Sequence, residues 1–226
     1  MNILVVAATI FEIAPLTGLL EEHYEQIEKF HFRQGNKNIY ILITGVGMTA
    51  TAFALGSVLG NEGFIDVAFN LGIAGAYNRV LKIGDVVYVS NEQFGDIGVE
   101  EANGDFVDLF ELGLQKREEF PFQNGKMVNP LTNFDLLPSV SGLTVNKVSG
   151  TSQTISAMTE KYNADIETME GAGFFYACLQ AKIRFFEIRA ISNYVEPRNR
   201  ANWNLPLAID NLNAVAWGLL NAYHEK

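Results

Sequence analysis

The chain of 226 residues has little of several features that mark particular protein classes. Its single cysteine excludes a disulfide framework and a cysteine-rich metal site, and it fits the reducing cytoplasm, where we expect the protein to reside. The 16 Lys and Arg are outnumbered by 26 Asp and Glu, so the net charge is −10 and nucleic acid is not an expected partner. No uncharged apolar run has the length of a membrane span, so we expect no membrane partner.

Common catalytic and nucleotide-binding motifs are also missing. The sequence holds no Walker A loop, no Gly-x-Ser-x-Gly elbow and no His-Glu-x-x-His zinc motif. The run Gly45-Val46-Gly47-Met48-Thr49-Ala50 matches a relaxed dinucleotide fingerprint. The acid at the required distance, Asp66, opens its predicted strand instead of ending it. We interpret the run as a tight turn between a strand and a helix.

Hydrophobic patterning predicts an α/β fold. Short apolar runs typical of buried strands cover residues 3–8, 38–44, 66–71, 85–90, 143–148, 165–169 and 185–191. Helical patterns cover residues 10–22, 48–59, 151–162, 171–181 and 205–223. This alternation predicts a single domain over residues 1–226, with a mixed, mostly parallel central sheet flanked by helices. The pattern loosens over residues 91–141, which we expect to be a surface excursion.

Ligands of open α/β sheets bind at the carboxyl ends of the strands. The turns predicted there are residues 9–12, 45–48, 72–75, 149–154, 169–171 and 192–195. Three polar groups near them are hard to explain by packing: Glu12, the run from Glu167 to Gly173, and the run from Arg189 to Tyr194. Two carboxylates and an arginine in one cleft suit cleavage at an anomeric carbon. The transition state there resembles an oxocarbenium ion, which needs negative charge and an activated water nearby.

These motifs resemble a known family. Met169-Glu170-Gly171, followed by Arg189-Ala190-Ile191-Ser192-Asn193, is similar to the purine nucleoside phosphorylase and methylthioadenosine nucleosidase superfamily. The resemblance extends over nearly the whole chain through the turn at Glu12 and through residues 45–47, 71–75 and 83–86. Residues 72–77 and 94–100, and the pattern Ser192-Asn193-Tyr194…Arg198…Arg200…Trp203, look like the futalosine hydrolase subfamily. A nucleoside phosphorylase-like fold is implied.

The resemblance also implies roles for individual residues. The acid matching Glu12 activates the water as a general base, although its spacing from Thr9 also fits a structural capping box. Glu170 matches the acid that binds the ribose hydroxyls and balances the ribosyl cation, although an acid at a helix start is also favoured by the helix dipole. Arg189 matches the arginine that helps hold the nucleophile, or it pairs with these acids. Met169 packs under the sugar or belongs to the core.

Two positions bear on substrate and reaction. The adenosine-type nucleosidases have an Asp that protonates N7 of the leaving base, where this chain has Asn193. An amide donates a hydrogen bond only, which suits hypoxanthine, unless Asn193 is a structural turn residue. The phosphorylases hold phosphate with a Ser and an Arg, where this chain has Ile73 and Asn70. Hydrolysis is therefore expected, with the water held by Glu12 and Arg189.

The remaining substrate contacts also follow from the resemblance. The family places a base-stacking aromatic at the position of Gln153, so stacking comes from elsewhere or is lost. Trp203 and Tyr194 are the candidates, unless they belong to the core or to a lid. Arg198 and Arg200 suit a benzoate carboxylate, or they are solvated loop residues. The predicted substrate-binding residues are Val46, Gly47, Ile73, Ala74, Gly75, Gln153, Thr154, Met169, Tyr194, Arg198 and Trp203.

The resemblance therefore implies hydrolysis of futalosine to hypoxanthine and dehypoxanthine futalosine, a step of menaquinone biosynthesis. It implies no metal and no organic cofactor, and a homo-oligomer, either a dimer or a larger assembly. The alternatives are a methylthioadenosine/adenosylhomocysteine or aminodeoxyfutalosine nucleosidase, a purine nucleoside phosphorylase, and a non-catalytic nucleoside-binding protein.

Overall fold

The structure contains the helices that the hydrophobic pattern predicts and the predicted strands, together with further short strands that the pattern does not predict. The computed structural model describes residues 1–60, 63–131 and 134–223. The strands are β1 (Asn2–Ala7), β2 (Glu25–Glu28), β3 (His31–Gln34), β4 (Lys37–Ile43), β5 (Val67–Ala76), β6 (Val86–Phe94), β7 (Gly98–Glu100), β8 (Phe106–Asp108), β9 (Phe122–Gln123), β10 (Lys126–Val128), β11 (Ser139–Thr144), β12 (Ile166–Thr168) and β13 (Arg184–Tyr194). The helices are α1 (Ile10–His23), α2 (Met48–Leu59), α3 (Ser152–Tyr162), α4 (Gly171–Ala181) and α5 (Leu205–Ala222), and a 3-10 turn covers Arg200–Asn202.

The mixed central sheet that the sequence predicts is confirmed. Its main path runs β2-β3-β4-β1-β5-β12-β11-β6-β10-β9, and β13 pairs with both β5 and β6. Parallel pairing joins β4, β1, β5 and β13, and it also joins β12, β11 and β6. The contacts β12–β5 and β13–β6 are antiparallel. Strands β5, β12, β11, β6 and β13 thus close a ring within the sheet.

Two of the predicted strand-end turns are wrong. Residues 72–75 lie within β5, and residues 192–194 lie within β13. Their small and polar residues resemble turn composition, but the two strands pair along their whole length and supply backbone hydrogen bonds to each other. The extension places Gly72 beside Arg189 and Gly75 beside Asn193. Side chains near both strand ends therefore face a common cavity.

Hydrophobic side chains fill both faces of the sheet. On one face, Ile13 and Leu16 of α1 and Leu212 of α5 are fully buried. On the other face, the core includes Phe174, Phe175 and the single cysteine, Cys178, from α4, together with Leu55 of α2. Burying a side chain of this size contributes roughly 1.5–3 kcal/mol. This packing holds the starts of α1 and α4, which carry Glu12 and Glu170, against the sheet.

The boundaries predicted for the surface excursion need correction. Residues 91–94 belong to β6 and residues 139–141 belong to β11. Between them, β7 and β8 form a separate hairpin, whereas β9 and β10 extend the edge of the main sheet. Asp108 is a fixed point of this segment, because it accepts hydrogen bonds from the backbone of Phe110 and Glu111 and lies near Arg117 and Lys161. In the described ranges, no helix combines the length and apolar character that a membrane crossing requires.

Candidate active site

A cavity of about 290 Å³ lies where β5, β12 and β13 meet the starts of α1 and α4. Nine residues predicted from the sequence line it: Glu12, Val46, Ile73, Ala74, Gly75, Met169, Glu170, Asn193 and Trp203. The other lining residues are Ala8, Thr9, Phe11, Val148, Glu167, Thr168, Ser192 and Leu205. Residues from distant parts of the chain therefore line one cavity.

Glu12 combines a structural and a cavity-facing position. The backbone N–H and the hydroxyl of Thr9 donate to Oε2 of Glu12 at 3.0 and 3.1 Å, so the predicted capping contact is present. Its Oε1 accepts from the backbone N–H of Ile73 at 3.3 Å. Burial raises the pKa of Glu12 most, the nearby Arg189 lowers it, and the charge of Glu170 raises it again. The net direction is upward, as suits a carboxylate that accepts a proton.

Glu170 is fixed at the start of α4. It is buried, and its Oε1 accepts a hydrogen bond of 2.9 Å from the backbone N–H of Gly47. Gly47 has a φ of 101°, a conformation that favours glycine, and it presents this N–H at the start of α2. The predicted binding residue Gly47 therefore orients the carboxylate of Glu170 and is absent from the cavity lining.

Arg189 does not reach the cavity, contrary to the expectation that it holds the nucleophile directly. It is fully buried, and its guanidinium lies over Gly72, its partner across the β5–β13 pair. A Cβ atom on Gly72 would lie 2.0 Å from Nη1 of Arg189 and 3.1 Å from Oε1 of Glu12. Nη1 also lies 3.9 Å from Oε2 of Glu170. Arg189 therefore lies behind the two acids, and its positive charge interacts with both carboxylates.

A second pair of buried acids backs Arg189. Oε1 of Glu187 accepts a hydrogen bond of 2.7 Å from Nε of Arg189. Burial raises the pKa of Glu187, although Arg189 opposes that increase. Burial, reinforced by the charge of Glu187, raises the pKa of Glu92 well above its usual range. A Cβ on Gly171 would lie 2.1 Å from Oε1 of Glu92 and 2.7 Å from Oε1 of Glu187, so both acids need the glycine.

The charge of the cavity is strongly one-sided. Glu12, Glu167 and Glu170 contribute carboxylates to its lining. In the part of the chain that the structure describes, no lysine or arginine lines it. Arg189 lies behind the cavity. Burial by itself would lower the pKa of Arg189, but the negative charges of Glu187 and then Glu170 outweigh burial, and the pKa is raised. The cavity therefore favours a cation over an anion such as phosphate.

Asn193 lies at the other end of the cavity with its amide in a fixed orientation. Its Nδ2 donates to the carbonyl oxygen of Tyr194 at 2.9 Å, and its Oδ1 accepts from the hydroxyl of Ser192 at 2.8 Å. A carbonyl oxygen only accepts, so Nδ2 must be the atom that faces Tyr194. One protein partner occupies Nδ2 among the described residues, and its second hydrogen is left for a ligand.

Four other predicted binding residues lie away from this cavity. Tyr194 and Arg198 line an adjoining space of about 60 Å³. The hydroxyl of Tyr194 donates to the carbonyl of Leu81, so its ring is held away from the main cavity. Gln153 is exposed in the first turn of α3, and the backbone N–H of Thr154 donates to the helix cap, Thr151. Neither Gln153 nor Thr154 lines either space.

Glu167 and Ser192 line the cavity although the sequence assigned them no role. Both lie in the polar runs that the sequence singled out as hard to explain by packing, and a carboxylate in the middle of a short buried strand was the signal for Glu167. Phe11 gave no such signal, since its orientation depends on the helix that carries it. Among the described residues, no cluster of three or more His, Cys, Asp or Glu side chains has a geometry that fits a metal ion.

Comparisons with known proteins agree with this architecture. The family model described as the phosphorylase superfamily matches residues 2–221. Futalosine hydrolase from Thermus thermophilus is 32% identical over 174 residues, 76% of either chain. A 5'-methylthioadenosine/S-adenosylhomocysteine nucleosidase from Colwellia psychrerythraea is 27% identical over 180 residues, 73% of this chain and 71% of that protein.

Solved structures show the same fold at lower identity. The structure of the Colwellia psychrerythraea nucleosidase in complex with adenine has a TM-score of 0.77 at 20% identity, and the match covers 98% of this chain and 95% of that one. The structure of futalosine hydrolase from Helicobacter pylori has a TM-score of 0.74 at 15% identity, with 99% and 98% covered.

Proposed function

The chain belongs to the phosphorylase superfamily, and from this we propose that it hydrolyses futalosine to hypoxanthine and dehypoxanthine futalosine. The protein is an N-glycosyl hydrolase, as its relatives are named hydrolases and nucleosidases. The observation that carries the finer proposal is the single cavity lined by Glu12, Glu170 and Asn193. Two acids suit a ribosyl cation, and an amide suits a 6-oxopurine leaving group.

In the proposed reaction, the bond between C1′ of ribose and N9 of the purine breaks as the sugar gains positive charge. The bonding electrons leave with the purine, which Asn193 stabilises by a hydrogen bond, and the purine anion takes up a proton from solvent. Glu170, held by Gly47, balances that charge from a buried position where Coulomb attraction is strong. Glu12 accepts a proton from water as the water oxygen bonds to C1′. The upward shift of the pKa of Glu12 makes this carboxylate a stronger base. Arg189 lies behind both acids, with its Nη1 3.9 Å from Oε2 of Glu170, and its charge opposes part of the rise in the pKa of Glu12.

Water is proposed as the nucleophile because the cavity opposes phosphate. Ile73 presents an apolar side chain there, and its backbone N–H already donates to Glu12. Three carboxylates and the absence of a lining cation among the described residues leave a phosphate dianion without compensation. Phosphorolysis is therefore disfavoured.

The base is proposed to be hypoxanthine because Asn193 presents an amide to the cavity. A hydrogen-bond donor serves N7 and O6 of a 6-oxopurine, both of which are acceptors. The 6-amino nucleosides form the second candidate substrate class, since relatives named methylthioadenosine/adenosylhomocysteine nucleosidases also match most of the chain. Trp203 lines the main cavity and is the proposed stacking residue.

Arg198 lies near the proposed position of the base, since its guanidinium is 5.3 Å from the ring centre of Trp203 and it lines the adjoining space with Glu167 and Asn193. This position does not support the expectation that Arg198 binds the benzoate carboxylate at the 5′ end of the substrate. The exposed side chains of Phe11 and Val46 line the cavity, which fits a homo-oligomer in which a neighbouring subunit covers them. Light scattering of the purified protein tests the assembly, and a monomer would remove that part of the proposal. We also propose a cytoplasmic location.

A substrate panel tests the proposed function. Futalosine, aminodeoxyfutalosine and methylthioadenosine are incubated with the enzyme with and without phosphate, and the released base is measured. We expect hypoxanthine release from futalosine at a rate that does not depend on phosphate. Faster adenine release would favour the second candidate, and strict dependence on phosphate would contradict hydrolysis.

A further inference from the structure

Three neighbouring strands form a slot at the base-binding end of the cavity. Gly75 of β5 pairs with Glu167 of β12 on one side and with Asn193 of β13 on the other. Directly paired residues of adjacent strands project to the same face, and strands lie about 4.8 Å apart. Glu167 and Asn193 therefore flank Gly75 across roughly 10 Å, and all three residues line the cavity.

A side chain at the floor of the slot would crowd its neighbours. A Cβ on Gly75 would lie 3.2 Å from Nδ2 of Asn193 and 3.0 Å from Cγ2 of Val195. An irregularity in β13 between Ile191 and Asn193 brings Asn193 into register with Gly75. The sheet thus offers a planar ligand a bare backbone floor between a carboxylate and an amide.

Glu167 is held in this slot as a hydrogen-bond acceptor. Its Oε1 accepts a hydrogen bond of 2.9 Å from the backbone N–H of Ser149. Its Oε2 accepts two hydrogen bonds of 2.6 Å, one from the hydroxyl of Ser149 and one from that of Tyr77. Burial and the charge of Glu167 raise the pKa of Tyr77, so its phenol stays protonated and donates. Three donors orient the carboxylate, and one of its four lone-pair sites, on Oε1, is left to accept from a ligand.

The two purine classes differ in what they offer such a carboxylate. A 6-oxopurine carries a hydrogen on N1, whereas N1 of a 6-aminopurine is an unprotonated acceptor. Asn193 donates a hydrogen bond to N7 or O6, so it makes no contact with N1 and does not distinguish the two classes there. A carboxylate beside N1 attracts the first class and repels the second.

We propose that Glu167 is a specificity-determining residue that accepts a hydrogen bond from N1–H of a 6-oxopurine base. The inference deepens the proposed function and rests on it for the position of the base at Asn193. Glu167 and Asn193 together read the donor and acceptor pattern of the purine edge. Without Glu167, the amide of Asn193 alone discriminates only weakly between 6-oxopurines and 6-aminopurines, because N7 accepts a hydrogen bond in both.

The test is the variant Glu167→Gln. Its amide can donate to N1 of a 6-aminopurine, so we expect the ratio of kcat/KM for futalosine over aminodeoxyfutalosine to fall about 10- to 100-fold. Binding of free hypoxanthine and free adenine is measured by calorimetry in the same variant. We expect the preference for hypoxanthine to fall by a similar factor.

The matched control is Tyr77→Phe, which removes one donor to Glu167 and keeps its carboxylate. A purely structural role for Glu167 predicts that both variants weaken the two purines equally. We expect the purine ratio of Tyr77→Phe to stay within about 3-fold of wild type, because its carboxylate still accepts. An unchanged ratio in folded Glu167→Gln, or an equal ratio change in Tyr77→Phe, would overturn the proposal.

The free-base measurement separates this inference from the proposed substrate. If the enzyme prefers hypoxanthine through Glu167 but does not cleave futalosine, the inference stands and the proposed substrate fails. If futalosine is cleaved and the purine ratio does not depend on Glu167, the proposed function stands and the inference fails. Preference of the wild type for adenine would contradict both.

Discussion

The two ends of the cavity are built in different ways. At the sugar end, Glu12 and Glu170 face the cavity and Arg189 lies buried behind them. At the base end, Gly75 forms a floor between Asn193 and Glu167, and each side chain is held by its own local hydrogen bonds. The sugar end is an interdependent charge network, whereas the base end is a set of separately anchored polar groups.

This difference indicates a division of roles. Charges that share one guanidinium influence one another, so a change at the sugar end disturbs the whole network. Separately held groups can change one at a time without that disturbance. We therefore expect substitutions at the sugar end to remove the reaction and substitutions at the base end to change the substrate.

Glu170→Ala tests this division with the largest expected effect. We expect turnover to fall about 10³-fold or more, because the negative charge that balances the ribosyl cation is lost. Initial rates of base release measure the effect. Glu170→Gln is the control for structure, since its amide oxygen can still accept from Gly47. Substantial activity in either folded variant would remove Glu170 from the mechanism.

Glu12→Gln separates the two positions of that residue. Gln also serves in a capping box, so α1 should keep its start while the general base is lost. We expect kcat/KM to fall about 10²- to 10³-fold. Because the pKa of Glu12 is raised, mainly by burial, the wild-type rate should rise with pH through a range above that of an ordinary glutamate. The variant should lack this rise, and an unchanged pH profile would contradict the assignment.

Asn193→Asp should alter preference more than rate. An aspartate here faces the carbonyl oxygen of Tyr194, whose lone pairs repel a carboxylate and so favour the protonated form. N7 of the bound purine then competes with that carbonyl for the single carboxyl hydrogen. We expect the ratio of kcat/KM to shift about 10-fold towards 6-amino nucleosides. The control, Asn193→Ala, should slow both classes. If Asn193→Asp has the same base selectivity as wild type, our account of this position is wrong.

Glu92→Gln has the smallest expected effect and concerns stability alone. The pKa of Glu92 is raised in the folded state, so its contribution to stability is present below the unfolded pKa and is lost as pH rises through the folded pKa. We expect the variant to be more stable than wild type at alkaline pH, where the buried Glu92 of the wild type must become charged. Urea unfolding across pH measures this. The exposed control Glu100→Gln should not show it, and equal pH dependence in wild type and Glu92→Gln would refute it.

Sequence reasoning was most accurate where the signal is local. The helices at Met48–Leu59 and Gly171–Ala181 have the predicted bounds, because apolar periodicity and adjacent glycines mark them directly. It was least accurate over residues 24–37, where β2 and β3 were not predicted, and over residues 72–75, which continue a strand. Their hydrogen bonds come from other strands, and a local pattern does not reveal them.

The candidate site divides in the same way. Residue identity selected Glu12 and the polar runs 167–173 and 189–194, because charged residues near predicted strand ends have few packing roles. The family resemblance then singled out Glu170 and Asn193 within those runs. The burial of Arg189 behind Gly72 and the position of Gln153 outside the cavity depend on strand register and helix orientation.

The amino-acid order on its own thus determined the alternation of strands and helices, the one-sided charge and the chemical groups available for a reaction. Folding determined which of those groups meet. Glu167, Gly75 and Asn193 become neighbours only because β12, β5 and β13 pair in one register, and a shift of one residue would turn their side chains to the opposite face. Register depends on contacts between distant segments, and for that reason no local stretch of sequence contains it.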